Sequence, residues 1–146
     1  MNTSKLISRL LLPVMLALAI TGCASGPQYK VLHATEPPIG SGQGRIYIYR
    51  TSALGAAVQP DVDVNGEAVG SAVSHGYFFI DRPPGNYEIS TTTEVKRSLS
   101  LTLEPAQTRY VRLNIGMGFF VGHVWPELRD NAVAEQEISD CHYIGK

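Results

Sequence analysis

From Gly44 onward apolar side chains recur at every second position, and that alternation is the tightest constraint on the fold: strands with two distinct faces satisfy it, helices do not. Arg45-Ile46-Tyr47-Ile48-Tyr49-Arg50 puts the two isoleucines on one face and the two tyrosines on the other, which predicts a central strand covered on both sides. Asp61-Val62-Asp63-Val64 alternates cleanly and runs into Asn65-Gly66, two residues tolerant of positive φ, as a type I′ hairpin requires before Glu67-Ala68-Val69 returns. Gly76 to Ile80 reads as another strand. Pro83-Pro84-Gly85-Asn86 suits a type II turn with Gly85 left-handed, and Tyr87, Ile89, Thr91, Thr93 and Val95 then line one face of the returning strand.

Leu99, Leu101 and Leu103 alternate with serine and threonine, and Val111, Leu113 and Ile115 alternate with Tyr110, Arg112 and Asn114, so each strand is expected to bury one face and wet the other. Glu104-Pro105-Ala106-Gln107 is the turn between them. Phe119 to Trp125 is a further strand, expected to end at Pro126 because proline cannot donate to a ladder. In the tail a short helix starts at Asp130 as N-cap and carries Ala134, Ile138 and Cys141 at i, i+4 and i+7. About seven short strands without long helices predict an all-β fold, a small antiparallel β-sandwich with a short C-terminal helix.

Composition narrows the function classes. A formal charge of −1 removes the clustered Lys and Arg that nucleic-acid binding needs, and 44% hydrophobic residues exclude a disordered chain.

The first residues follow a different logic. Lys5 and Arg9 precede an uncharged apolar run, Leu10 to Ile20, which is too short to span a hydrocarbon core of about 30 Å. It reads as the h-region of an export signal. The following Ile20-Thr21-Gly22-Cys23 resembles the bacterial lipobox, in which small residues admit the signal peptidase and the cysteine thiol takes a diacylglyceryl group. The resemblance implies cleavage between Gly22 and Cys23, a covalent diacylglycerol and N-acyl chain on Cys23, and anchoring in a membrane. Ala24 lacks the aspartate that, by analogy, retains such proteins in the inner membrane; the periplasmic face of the outer membrane is expected if the cell is Gram-negative. Residues 1–22 are then a signal peptide, 23–43 a lipidated amino terminus and flexible tether rich in Pro and Gly, and 44–146 the β-sandwich. With Cys23 lipidated, Cys141 has no intrachain partner.

Gly44 to Arg50, Val64-Asn65-Gly66 with Gly70, and Pro83-Pro84-Gly85-Asn86-Tyr87 resemble a family of bacterial lipoproteins classed only as domain of unknown function 2846. Pro84 to Ile89 is also similar to the Pro-x-Gly-x-Tyr core of PEGA-type surface domains. These likenesses imply an envelope β-sandwich of immunoglobulin-like or carbohydrate-binding-like shape and transfer no catalytic residue.

No zincin, nucleophile-elbow or Cys-x-x-Cys motif occurs. Cys141-His142 are sequence neighbours and point apart, so a nucleophile and base are not expected there. His33, His75, His123, Cys141 and His142 follow no zinc spacing, and no metal site or cofactor is expected. Asp61 and Asp63 share the solvent face of their strand. Gly116-Met117-Gly118-Phe119-Phe120-Val121-Gly122 lacks the following helix that a dinucleotide loop needs, and reads as a glycine-loosened hairpin. Phe119, Phe120 and Trp125, with Tyr77 or Tyr110, are the candidate contact residues. They would serve a non-enzymatic lipoprotein that binds an envelope protein or has a structural role, or alternatively a module that stacks on peptidoglycan or another polysaccharide.

Overall fold

In the computed structural model, residues 24–93, 96–117 and 122–145 are described. They form nine strands in two sheets: β1 Gly44–Tyr49, β2 Asp61–Val64, β3 Glu67–Ser71, β4 Gly76–Arg82, β5 Gly85–Thr91, β6 Arg97–Leu103, β7 Thr108–Met117, β8 Gly122–Arg129 and β9 His142–Tyr143. A four-residue helix α1, Tyr29–Leu32, continues into a 3-10 turn, His33–Thr35, and α2 spans Asn131–Ile138. One sheet has the order β8-β7-β1-β4-β9, the other β3-β2-β5-β6.

The all-β sandwich reading holds, and β9 is a strand the sequence did not show. The sheets are also not purely antiparallel. β7 lies parallel to β1, pairing Tyr47 with Tyr110 and Tyr49 with Arg112, and β9 lies parallel to β4. The cause is that the connections β1–β2, β3–β4, β4–β5 and β6–β7 all change sheet, so successive strands need not be hairpin partners.

Between the sheets, Ile46, Ile48, Phe78, Val111, Leu113 and Val124 meet Val62, Val64, Ile89, Leu101 and Leu103 in one core. Each such side chain contributes about 1.5–3 kcal/mol on burial. The expected type I′ turn is present, Asn65 at φ 52° and Gly66 at φ 80°. Asn65 also accepts the Glu88 N–H through Oδ1 at 2.8 Å, tying the hairpin to the neighbouring strand.

Three local expectations change. Gly85 is not left-handed; it opens β5, because Pro83-Pro84 carries the chain from one sheet to the other instead of closing a hairpin, and the Tyr87 hydroxyl donates to the Pro83 carbonyl at 2.6 Å. The turn Glu104–Gln107 exists, with Ala106 at φ 57°, but likewise links the two sheets. Pro126 lies inside β8, opposite Leu113, and does not end it. β8 is an edge strand, where a missing N–H on the unpaired side costs nothing.

The largest correction concerns residues 23–43. Within the expected flexible tether, Tyr29 is buried, Tyr29 N–H donates to the Cys141 carbonyl at 2.8 Å, Tyr143 N–H donates to the Pro27 carbonyl, and Gln28 forms a bridge with His142. This segment and α2 cover the outer face of the five-stranded sheet, so Tyr110, Arg112 and Asn114 do not face open water as expected: Tyr110 is buried and the other two are half-buried. The Pro and Gly content that resembled a linker shapes a strap; its free energy comes from side chains that reach across the sheet.

Candidate binding groove

Two features are site-like: a buried polar layer on the outer face of the five-stranded sheet, and a groove along one flank of the sandwich.

In the polar layer, period two puts Tyr47, Tyr49, Tyr77 and Tyr110 on the side opposite the aliphatic core. Tyr47 and Tyr110 stack with ring centres 5.0 Å apart, and Tyr29 meets Tyr47 and Tyr77 edge-on. Glu36, its side chain 3% exposed, is the shared acceptor: the Tyr47 hydroxyl donates to it, the Tyr77 hydroxyl reaches it at 3.4 Å, and His33 Nδ1 and an Arg45 guanidinium nitrogen lie at 3.0 and 3.6 Å. Arg45 also forks onto Asp81 at 2.7 and 2.9 Å and lies over the Phe79 ring. Burial, reinforced by hydrogen bonds to Glu36 or Glu137, holds the hydroxyls of Tyr47, Tyr49 and Tyr77 far above the ordinary tyrosine range. These are neutral donors at physiological pH, and the layer is a clamp for the amino-terminal strap.

Around α2, Glu137 accepts from Tyr49 at 2.6 Å, Arg112 at 2.8 Å and Arg129 at 2.6 Å. Burial raises its pKa, but the bonds from Arg129 and Tyr49 outweigh that and hold it below the usual carboxylate range. The Asp130 cap is as the sequence predicts, accepting the Ala132 N–H at 3.0 Å, and Ala134, Ile138 and Cys141 are all buried.

The groove, about 570 Å³, runs between β3 and β4. Ala68 to Ser71 form one wall, Phe78 to Ile80 the other, and Tyr143 to Gly145 close the upper end. Arg82 and Glu67, 3.5 Å apart, lie at the lower ends of these strands. Gly70 has a physical role here, since a Cβ on it would lie 2.7 Å from the Phe78 ring. β9 pairs only Gly76 and Tyr77 of β4. From Phe78 to Arg82 that edge has no strand partner among the described residues, and β3 is the edge of its own sheet. The groove is therefore bounded by two strands whose free backbone groups can accept an extended chain.

Those sequence-derived candidates that are described lie elsewhere. Gly22, Cys23, Phe119 and Phe120 fall outside the described residues. Trp125 is half-buried, packed where a Cβ on Gly116 would lie 3.1 Å from its ring, with the Arg97 guanidinium 5.5 Å from the ring centre. Tyr77 and Tyr110 are buried in the polar layer and cannot offer a ring face to a sugar. Burial pushes the Cys141 thiol up to about 12, which leaves no thiolate at neutral pH. Among the described residues no three metal-ligating side chains converge, and no helix is long and apolar enough to cross a membrane. Sequence reasoning missed Glu36, Tyr29 and the groove. The first two sit in a Pro-rich stretch with no periodicity, and the groove depends on how short β9 is.

An uncharacterized protein of Haemophilus influenzae is 29% identical over 111 residues, covering 73% of this chain; the match spans 66% of that relative, just under two thirds of its length. A family model described as a protein of unknown function, DUF2846, matches residues 40–124, from the end of the strap into β8. That match takes in more than half of the chain, which belongs to the DUF2846 family.

Proposed function

We propose that this protein is a cell-envelope lipoprotein, anchored through Cys23, whose β-sandwich works without catalysis by receiving an extended segment of a partner protein in the groove between β3 and β4. The carrying observation is that, among the described residues, the edge of β4 from Phe78 to Arg82 is unpaired and lies beside the free edge of β3. Main-chain groups on such edges supply affinity for a strand without requiring a sequence, and the alternate side chains of that strand would find Phe78, Ile80 and Val69. Asp61 is the charged residue in the lining, so a largely uncharged segment fits it. The anchoring half of the reading rests on Ile20-Thr21-Gly22-Cys23 behind an eleven-residue apolar run. The finer likenesses, a lipoprotein of the outer membrane and a PEGA-like Pro-x-Gly-x-Tyr motif at Pro83 to Tyr87, belong to the same proposal, although the motif here crosses between the sheets and closes no hairpin.

Each half has its own test. Metabolic labelling with palmitate is expected to mark the protein and to be abolished by Cys23→Ser; labelling that survives the substitution refutes the anchor. For the groove, a photo-crosslinking residue at Ala68 is expected to give one discrete adduct in intact cells, and the same probe at Val133, exposed on α2, none. Equal adducts from both positions, or none from Ala68, refute the groove. A glycan partner would instead appear as co-sedimentation with purified sacculi.

A further inference from the structure

We infer that the protein lies with one end of its sandwich against the lipid surface, the end formed by the β1–β2 and β3–β4 connections, with Leu54 entering the headgroup region. This rests on the reading of Cys23 as a lipid anchor.

The position of the chain immediately after Cys23 sets the geometry. Ala24 N–H donates to the Ser74 carbonyl at 3.1 Å, so the residue following the anchor is already fixed on the domain. Successive Cα atoms are about 3.8 Å apart, which leaves one residue of slack between the acylated cysteine and the β3–β4 connection. The Ser74 hydroxyl donates to the Ser52 carbonyl at 2.9 Å, which sets the β1–β2 connection beside the same point.

The chemistry of this end matches a lipid surface. Residues 51–60 and 72–76 contain no Asp, Glu, Lys or Arg, and His75 is their one titratable side chain. Leu54 is 52% exposed at the tip. Exposed loop carbonyls normally need water, and carrying them unpaired toward an apolar phase is costly. Here the fully buried Arg50 takes them. One guanidinium nitrogen donates to Val58 and Ala72 carbonyls at 2.7 and 2.8 Å, the other to Leu54 and Gly55 at 2.6 and 2.9 Å. The loop thus presents its apolar side chain outward with its backbone turned to an internal cation. Charged groups at this end, among the described residues, are Asp61, Lys96 and Arg97 on the flank of the four-stranded sheet and the exposed Lys30–Asp140 pair on the strap side, next to His142, whose N–H donates to the His75 carbonyl; all flank the two connections, at the level where headgroups would meet them. The opposite end carries Glu67, Arg82, Glu104 and Asp130 and is suited to water.

The experiment uses the full lipidated chain reconstituted into phosphatidylethanolamine and phosphatidylglycerol vesicles. An environment-sensitive fluorophore is attached at Leu54→Cys or, at the far end, at Glu104→Cys; the buried Cys141 is left in place. After flotation, emission from position 54 is expected to rise several-fold over the detergent-free aqueous value and to be quenched by lipids brominated high in the acyl chain, while position 104 stays unchanged. Protein that floats with both probes equally exposed overturns the orientation and leaves the anchor standing. Protein that does not float overturns the anchor, and the orientation with it.

Discussion

Arg50 is fully buried and, among the described residues, forms no ion pair with a carboxylate. Its charge is compensated by four backbone carbonyls, while Nε has no acceptor among the described residues, and burial lowers its pKa. Replacing it with methionine keeps most of the aliphatic stem and removes all four bonds. The Ala72 carbonyl is buried and loses its side-chain donor at a cost of about 1–3 kcal/mol. The carbonyls of Leu54, Gly55 and Val58 are partly accessible, so water replaces the guanidinium there at about 0.5–1 kcal/mol each. Relief from burying a charge offsets a few kcal/mol of this. The expected net loss for Arg50→Met is about 1–3 kcal/mol, a fall in Tm of roughly 4–12 °C for a domain of this size. Urea unfolding followed by fluorescence of the single tryptophan, Trp125, measures it. Arg50→Lys should lie between the two, because an ammonium cannot fork onto two separated pairs of carbonyls. A methionine variant as stable as the parent refutes the reasoning, since the β1–β2 loop would then be held by its own packing.

Three further outcomes follow from the polar layer and its neighbours. Glu36→Ala removes the shared acceptor for Tyr47, Tyr77 and Arg45 and should cost about 2–3 kcal/mol; tryptic cleavage after Lys30 should then accelerate at least tenfold, and an unchanged rate would count against the clamp. Tyr29, Tyr47, Tyr49, Tyr77 and Tyr110 all have pKa values raised by burial, so the unfolded chain ionises first and stability is lost as pH climbs past about 10. Absorbance at 295 nm should show these five tyrosines ionising together with unfolding; independent titration of all seven near 10 in the folded protein would contradict this. Cys141, its thiol pushed up to about 12, should resist iodoacetamide at pH 8 until urea opens the fold.

Where sequence and structure agree, a local rule and a long-range one point the same way. Ile46 and Ile48 against Tyr47 and Tyr49 could be read as a two-sided strand because both faces are in fact covered. Asn65-Gly66 and the Asp130 cap are decided within a few residues of backbone. Readings failed where the outcome depended on a distant partner. The residues of Pro83 to Asn86 limit backbone angles but say nothing about which sheet the next strand joins. Pro126 is tolerated because β8 happens to lie at an edge. Glu36 lies among prolines and has no period, and its importance comes from Tyr47 and Tyr77, strands away. Of the candidate groove, β3 and β4 were legible as strands; the unpaired edge of β4 among the described residues was not, because it is set by a two-residue β9.

The bridge between Gln28 and His142, with Tyr29 and Tyr143 each hydrogen-bonded across it, has a consequence for how the molecule is made. The layer that shields the tyrosine face is drawn from both ends of the described chain, Lys30 reaching Asp140 across 110 positions. A polypeptide emerging amino end first can pair β1 with β4 and build the aliphatic core while that face is still bare. Glu36 can reach Tyr47 and Tyr77 once β4 is in place, but the Tyr29 end of the strap cannot be locked until residue 143 arrives. Shortening the carboxyl end by a few residues would thus act at the amino end, releasing Tyr29 and whatever is attached ahead of it.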